Sequence, residues 1–156
     1  MFNSILIVCT GNVCRSPMAE HLFRYRLEQT GIWQGKVFSA GVSALVMQPA
    51  DTVAAALMLE HNIDLSSHRA NQLTPQYLFE ADLILVMEKY HKEAVLSLSP
   101  TARGKTFLLG HWSNVEIADP YLRSYDNYIK ALKTMDGCIM RWVNKIGVHS
   151  NSMIIS

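Results

Sequence analysis

The chain has 156 residues, and its 14 Lys and Arg balance 13 Asp and Glu to a formal net charge of +1. This balance, without a basic run or a basic amphipathic segment, gives no support for a nucleic-acid partner or a membrane surface. The length suits one domain, and 49% hydrophobic residues are enough for a buried core, so no second domain is needed.

The first residues and the cysteines together indicate a cytoplasmic protein. Residues 1–4 lack the positive flank of a signal peptide, and the apolar run after them is far too short to cross a bilayer. We therefore expect no membrane insertion. Three cysteines, an odd number, argue against a disulfide framework and for a reducing compartment.

Apolar runs alternate with helical patterns along the chain, which is typical of a parallel sheet covered by helices on both faces. The sequence therefore predicts an α/β fold with three layers and a doubly wound, four-stranded parallel sheet. The predicted strands are residues 4–8, 36–40, 82–87 and 105–109. The continuous apolar run of the third strand suits burial on both faces.

Four helices are predicted between and after these strands. The first has an apolar face made of Ala19, Leu22, Phe23 and Leu27. The second covers residues 53–61 and begins near Asp51, and the third covers residues 89–98. The last begins near Ser124 and buries a stripe at helical spacing, namely Ile129, Leu132, Ile139, Trp142 and Ile146. Cys138 lies in this last helix, and we expect it to be inert.

The first predicted strand ends in the segment CTGNVCRSP, residues 9–17, where the first helix is expected to begin. A loop of this length can turn successive backbone N–H groups inward as a nest for an anion, and the helix N-terminus adds a positive end. The same surroundings favour the thiolate, which is the nucleophilic form of cysteine. The segment therefore predicts a phosphate site with Cys9 as the nucleophile in its floor.

The other residues of this loop suit the same chemistry. Arg15 offers a planar fork of donors that can hold two phosphoryl oxygens at once. Gly11 and Asn12 tolerate the left-handed backbone that a tight loop around an anion requires. Ser16 has two open roles: it can cap the helix with Pro17 at the first helical position, or its hydroxyl can donate to the thiolate.

The two loop cysteines also have a purely structural interpretation. A cysteine that ends a buried strand is most often a small core residue. For Cys9 the neighbouring Arg15 argues against this, because a buried arginine is costly without an anion. Cys14 has two open roles, as a small loop residue or as the partner of Cys9 in a reversible disulfide that prevents overoxidation.

The segment CTGNVCRSPMAE, residues 9–20, resembles the signature of the low-molecular-weight protein tyrosine phosphatases. The resemblance continues in SAG at 39–41, PAD at 49–51, SHRA at 67–70, DLILVM at 82–87 and ADPY at 118–121. LLGHW at 108–112 is similar to the bacterial branch that works on capsule and exopolysaccharide machinery. Because the resemblance covers nearly the whole chain, we assign residues 1–150 to a single phosphatase domain and 151–156 to a C-terminal tail.

The resemblance implies a two-step displacement without metal or cofactor. Cys9 attacks phosphorus while Asp119 protonates the leaving phenol, and water then hydrolyses the cysteinyl-phosphate. An Asp-Pro pair by itself is usually a turn, so the role of Asp119 depends on its match to the acid of the family. The residues expected to bind substrate are Thr10, Gly11, Asn12, Val13, Cys14, Arg15, Ser16, Leu45 and Tyr121.

The resemblance also implies a supporting hydrogen-bond shell made of Asn12, Ser39 and His68. Two residues depart from the pattern of many relatives. Ala118 stands where proline is common, which would leave the loop of the acid less rigid. Met47 stands where many bacterial relatives have glycine, and the sequence leaves open whether it alters the cleft or only packs the loop.

The expected partner is a phosphotyrosine protein, by resemblance an autophosphorylating bacterial tyrosine kinase with a tyrosine-rich tail. Phosphate or another oxyanion is expected to fit the loop. The nearby Tyr121, Tyr125 and Tyr128 have two open interpretations, as phosphorylation sites or as ordinary core and surface aromatic residues.

Three other activities fit parts of the sequence. Arsenate reductases share the loop but relay oxidation through further cysteines, and only Cys138 is available late in the chain. A sugar-phosphotransferase component can carry phosphate on a cysteine but has no use for Arg15 or Asp119. A phosphotyrosine-binding module would lack the nucleophile or the acid, and both are present.

Overall fold

The computed structural model describes residues 2–31 and 33–155, and the side chains up to residue 147. The strands are β1 (Ser4–Cys9), β2 (Lys36–Gly41), β3 (Leu83–Val86) and β4 (Thr106–Leu108). The helices are α1 (Arg15–Gln29), α2 (Thr52–Glu60), α3 (Pro75–Glu80), α4 (Lys89–Leu98) and α5 (Tyr125–Ile155). Short 3₁₀ turns cover Pro100–Lys105 and His111–Ser113.

The four strands form one parallel sheet in the order β2-β1-β3-β4. Ile5 pairs with Val37 on one side and with Leu83 on the other. Helices cover both faces of the sheet, so the predicted three-layer α/β fold is confirmed.

The two faces of β1 supply the two halves of the core. Ile5, Ile7 and Cys9 face the layer that contains α1, α2 and α5. Leu6 and Val8 face the layer that contains α3 and α4. This alternation follows from the two-residue period of a strand, and it explains why the whole run is apolar.

The predicted elements differ from the observed ones at a few places. The third strand was predicted to begin at Asp82, but its carboxylate accepts the N–H groups of Asn3 and Ser4, 2.9 and 3.0 Å away. The strand therefore begins one residue later. Helix α3 was not predicted, although Thr74 caps it by accepting the N–H of Tyr77 and Pro75 opens it.

Helix α5 begins where it was predicted, and most of its predicted stripe is buried. The prediction was wrong for Ile129, which is only half-buried. Tyr128 is buried in its place, and its hydroxyl accepts the N–H of Leu122 at 3.2 Å. Burial of Tyr128 therefore favours an ordinary core aromatic residue over a phosphorylation site.

The C-terminal end of α5 reaches into the predicted tail, residues 151–156. The helix continues to Ile155, Ser156 lies outside the described residues, and so do the side chains beyond residue 147. The division at residue 150 stays a prediction. Within the described part of the chain, no helix combines the length and the apolar character needed to cross a membrane.

The strand order fixes where a ligand can bind. From β1 the chain winds to β2 on one side of the sheet and then returns to β3 on the other side. In open parallel sheets, ligands bind at such a switch point, beyond the carboxyl ends of the strands. This places the loop after β1 and the residues after β3 next to each other.

Candidate active site

The loop between β1 and α1 is fixed from its outer side. The carbonyls of Cys9, Thr10 and Gly11 accept the N–H groups of residues 42, 43 and 45, at 2.9–3.0 Å. Among the described residues, no protein acceptor takes the N–H groups of residues 10–14. The loop therefore offers a row of free donors, as an anion nest requires.

Asn12 holds the loop from beneath. It has a left-handed backbone, with φ of 58°, as the sequence predicted. Its side-chain amide donates to Ser16 Oγ at 2.7 Å and to Ser39 Oγ at 2.9 Å, while its Oδ1 accepts the N–H of Asn71 at 2.8 Å. His68 Nε2 donates to its carbonyl at 2.7 Å. The structure thus brings Asn12, Ser39 and His68 together.

Ser16 contacts Cys9, the predicted nucleophile. Cys9 Sγ and Ser16 Oγ are 2.9 Å apart, and because Ser16 Oγ already accepts from Asn12, its own proton is free to donate to the sulfur. The capping alternative does not hold, because α1 begins at Arg15 and Ser16 lies inside its first turn. Pro17 is the third helical residue, where its missing N–H removes no helix hydrogen bond.

Arg15 is almost completely buried beside Cys9. Its Nη1 donates to Glu88 Oε2 and to the carbonyl of Ile117, both at 2.7 Å, and its Nη2 lies 3.6 Å from Asp119 Oδ2. Burial alone would lower its pKa, but the Glu88 hydrogen bond and the charges of Cys9 and Asp119 outweigh burial and raise the pKa. Arg15 is therefore a fixed positive charge at the loop.

Glu88, Tyr90 and His91 were not predicted from the sequence. His91 Nδ1 accepts the N–H of Glu88 at 3.1 Å, so its Nε2 carries the proton and donates to Thr10 Oγ1 at 2.9 Å. The Tyr90 hydroxyl also bonds to Thr10 Oγ1. Burial, with Arg15 nearby, lowers the pKa of His91 to about 4, so the ring is neutral at pH 7.

Asp119 lies at the rim of the loop. Its Oδ1 accepts the N–H of Tyr121 at 3.1 Å, and its side chain is 45% exposed. These contacts hold the carboxylate beside Arg15 although residue 118 is alanine. An acid in this place can reach the leaving group of a substrate held by the loop.

A cleft of about 180 Å³ opens over the loop. Its lining residues are Cys9, Thr10, Gly11, Val13, Cys14, Arg15, Ser43, Leu45, Asp119 and Tyr121. Seven of the nine residues predicted to bind substrate are in this set, and Ser43 was missed. Asn12 and Ser16 are fully buried behind the loop, where they support it and do not line the cleft.

The two other cysteines are buried and free. Burial raises the pKa of Cys14 far above its usual value, and the charges of Asp51 and Asp119 add to this effect. Cys14 is therefore a neutral thiol in the reduced protein. A disulfide between Cys9 and Cys14 stays a prediction. Cys138 lies inside α5, where burial also raises its pKa.

The structure changes the prediction for one glycine of the loop. Gly11 does not have the left-handed backbone predicted for it, and an added Cβ would meet only ordinary contacts at 3.7 Å or more. Gly41, which packs against the loop, is constrained, because a Cβ there would lie 2.3 Å from the carbonyl oxygen of Thr10. Met47 has φ of 69°, which explains why glycine suits this place, and it does not line the cleft.

Comparison with known proteins places the chain in one family. The family model for low molecular weight phosphotyrosine protein phosphatase matches residues 4–151. The probable low molecular weight protein-tyrosine-phosphatase AmsI of Erwinia amylovora is 44% identical over 147 residues, which is 94% of this chain and 99% of AmsI. The crystal structure of AmsI superposes with a TM-score of 0.87 and covers 93% of each chain.

Two further solved structures carry bound groups. Vibrio vulnificus Wzb in complex with benzylphosphonate is 39% identical, with a TM-score of 0.87 over 93% of this chain and 99% of that one. A YwlE arginine phosphatase mutant with a phosphorylated active-site serine is 32% identical, with a TM-score of 0.86 over 92% and 95%. The chain therefore belongs to the low molecular weight phosphotyrosine protein phosphatases, and its enzyme class is protein-tyrosine phosphatase.

Proposed function

We propose that this enzyme hydrolyses phosphotyrosine in proteins through a cysteinyl-phosphate intermediate. The observation that carries the proposal is the small cleft that joins Cys9, Arg15 and Asp119 under an apolar rim. The rim residues Leu45 and Tyr121 suit an aromatic ring, which an aryl phosphate has and a phosphoserine lacks.

In the first step, the Cys9 thiolate attacks phosphorus in line with the tyrosine oxygen. The S–P bond forms, the P–O bond to the ring breaks, and the Asp119 carboxyl gives its proton to the leaving phenolate. Arg15 and the free N–H groups of residues 10–14 hold the phosphoryl oxygens, and this charge stabilisation is expected to be the largest contribution to the rate.

In the second step, water attacks the phosphorus of the cysteinyl-phosphate. Asp119, now a carboxylate, takes a proton from the water, the S–P bond breaks, and Cys9 leaves as a thiolate. The hydroxyl of Ser16 can stabilise that thiolate by donating to the sulfur, 2.9 Å away. Inorganic phosphate is then released and the enzyme returns to its first state.

Two relatives support this mechanism. The YwlE mutant carries a phosphate on the serine of its active site, which is the kind of covalent intermediate proposed for Cys9. The Wzb complex holds benzylphosphonate, a group with an aromatic ring beside the phosphoryl centre. Because YwlE is an arginine phosphatase, phosphoarginine is the competing substrate that a test must include.

The test measures phosphate release from matched peptides that carry phosphotyrosine, phosphoserine or phosphoarginine. We expect selective release from phosphotyrosine, loss of activity in Cys9→Ser, and a fall of about 10²–10⁴-fold in kcat for Asp119→Asn. An electron-poor aryl phosphate has a phenolate that leaves without a proton, so with this substrate the fall in kcat for Asp119→Asn should be smaller. The exposed Asp126→Asn is the matched control.

Three results would contradict the proposal. Activity that survives Cys9→Ser would exclude the covalent step through this residue. Faster release from phosphoarginine than from phosphotyrosine would assign a different substrate. An equal effect of Asp119→Asn on good and poor leaving groups would remove Asp119 from the role of acid.

We further propose that the physiological substrate is an autophosphorylating bacterial tyrosine kinase of the exopolysaccharide or capsule machinery, and that the reaction takes place in the cytoplasm. The similarity of residues 108–112 to the bacterial branch supports the partner, and the three free cysteines support a reducing compartment. The test is dephosphorylation of such a kinase, with its tyrosine-rich tail, faster than of unrelated phosphotyrosine proteins.

A further inference from the structure

A second cluster of polar side chains lies outside the catalytic cleft. Glu20 and His21 are neighbours on α1, and His68 comes from the chain between α2 and α3. One carboxylate oxygen and one nitrogen from each ring all lie within 4.8 Å of one another. The cluster lines a surface cavity of about 550 Å³ that shares no lining residue with the catalytic cleft.

We propose that Glu20, His21 and His68 bind a transition-metal cation of the zinc class, and that its binding inhibits the phosphatase by disturbing the loop. Two imidazoles and one carboxylate form a known type of zinc ligand set, with water in the fourth position. The cavity gives water access to that position.

Each of the two rings can offer one nitrogen to a cation. His68 Nε2 donates its proton to the Asn12 carbonyl, which leaves the lone pair of Nδ1 free. His21 Nδ1 accepts Arg24 Nη1 at 3.4 Å, so Nε2 carries the proton without a metal, and this proton must leave or move to Nδ1 when Nε2 binds the cation. The carboxylate of Glu20 supplies the negative charge that the cation needs.

The geometry requires only small movements. In a tetrahedral site with bonds of about 2.0–2.1 Å, neighbouring ligand atoms lie about 3.3 Å apart. His21 Nε2 and Glu20 Oε2 are already 3.5 Å apart. The other ligand atoms lie up to 4.8 Å apart, so they must approach each other by up to about 1.5 Å, which a side-chain rotation can supply.

Arg24 is the competitor of the metal. Its Nη2 lies 2.7 Å from Glu20 Oε2, and it also donates to the carbonyl of Val37 at 2.6 Å. The guanidinium therefore keeps one partner if a metal takes the carboxylate. Because the Arg24 guanidinium repels a nearby cation, its removal should strengthen metal binding. A surface histidine that binds zinc by itself would not show this increase.

The cluster is bonded to the catalytic loop at two points. Glu20 Oε1 accepts the hydroxyl of Ser39 at 2.6 Å, and Ser39 in turn accepts the amide of Asn12. His68 holds the Asn12 carbonyl directly. Drawing Glu20 and His68 toward a metal pulls on both supports of Asn12, which holds the left-handed turn of the loop.

The binding test titrates Zn²⁺ into the full chain by calorimetry and is independent of the proposed function. We expect one Zn²⁺ per chain, at least tenfold weaker binding in Glu20→Gln and His21→Gln, and several-fold tighter binding in Arg24→Gln. His61→Gln, at an exposed histidine outside the cluster, should match the wild type. Unchanged affinity in His21→Gln, or no binding at all, would overturn the site.

Co²⁺ distinguishes this site from the catalytic thiol. Bound to nitrogen and oxygen ligands, it should show visible d–d absorption without a thiolate-to-metal charge-transfer band. A charge-transfer band that disappears in Cys9→Ser would place the metal in the catalytic cleft and overturn the proposal.

The inhibition test rests on the proposed function. Zn²⁺ should lower phosphate release with an inhibition constant equal to the calorimetric Kd, and saturating substrate should not relieve it. His21→Gln, whose side chain does not touch the loop, should abolish this inhibition. Zinc binding without inhibition would overturn the coupling to the loop, whereas an inactive metal-free enzyme would instead contradict the proposed function.

Discussion

The ion pair between Glu88 and Arg15 gives the sharpest prediction about the active site. Glu88→Gln removes the charge that faces a guanidinium with 1% exposure, while the side chain keeps its shape and one acceptor oxygen. The variant should be less stable than the wild type because a buried charge then lacks its main partner.

The expected magnitude follows from the burial of the two groups. Breaking a fully buried ion pair costs roughly 3–5 kcal/mol. Glu88 is 24% exposed, and Arg15 keeps the Ile117 carbonyl and Asp119, so we expect a loss of about 2–3 kcal/mol. For a chain of this length, that loss corresponds to a Tm lower by about 4–12 °C.

Urea unfolding in a buffer without phosphate measures this loss. Added phosphate should stabilise Glu88→Gln more than the wild type, because the anion takes over the role of the missing charge at Arg15. The exposed Glu93→Gln on α4 is the control. The reasoning fails if Glu88→Gln loses no more stability than Glu93→Gln, or if phosphate stabilises both proteins equally.

Three further predictions concern stability. The pKa of His91 is about 4 in the folded chain and 6.5 ordinarily, so between these pH values the unfolded chain binds a proton at His91 that the folded chain does not bind. This difference contributes roughly 3 kcal/mol to the free energy of unfolding above pH 6.5, and the contribution is lost as the pH falls toward 4. Urea unfolding at several pH values should therefore show a larger loss of stability over that range in the wild type than in His91→Gln. Gly41→Ala should lose about 3 kcal/mol or more and lose phosphate binding, since its Cβ would meet the Thr10 carbonyl. Met47→Gly should gain up to about 1 kcal/mol, because relief of a left-handed backbone exceeds the entropy cost of glycine.

Each of these predictions has a result that would contradict it. A pH dependence that is identical in His91→Gln would show that the buried ring is not the titrating group. Gly11→Ala, with room for its Cβ, should cost at most about 1 kcal/mol, and an equal loss in both alanine variants would refute the steric argument. A loss of more than about 0.5 kcal/mol in Met47→Gly would mean that this 64% exposed side chain contributes real packing.

The sheet was predictable because its strands are continuous apolar runs with helical patterns between them. The errors lie at the ends, where side chains decide the outcome, as with the carboxylate of Asp82. Helix α3 has only six residues, which is too short for a helical period to be visible. Its Thr74 and Pro75 were the available signal.

The residues of the candidate active site were predictable to different degrees for a related reason. Cys9 and Arg15 belong to one short segment, so their spacing alone indicates a phosphate loop. Glu88 and His91 lie 73 and 81 residues away from their partners, and nothing in their own neighbourhood indicates a contact with the loop. Only the strand order brings them together, so the rule that ligands bind beyond adjacent strand ends could have directed attention to Glu88.

The distance along the chain between Arg15 and its partners has a consequence during synthesis. Cys9 and Arg15 leave the ribosome first, and the Ile117 carbonyl and Asp119 follow roughly 100 residues later. At about 5–20 residues per second, that interval lasts about 5–20 s. Throughout it the nascent chain has a thiol but no assembled phosphate site, so the chain cannot act on phosphoproteins until the segment with Ile117 and Asp119 has been translated.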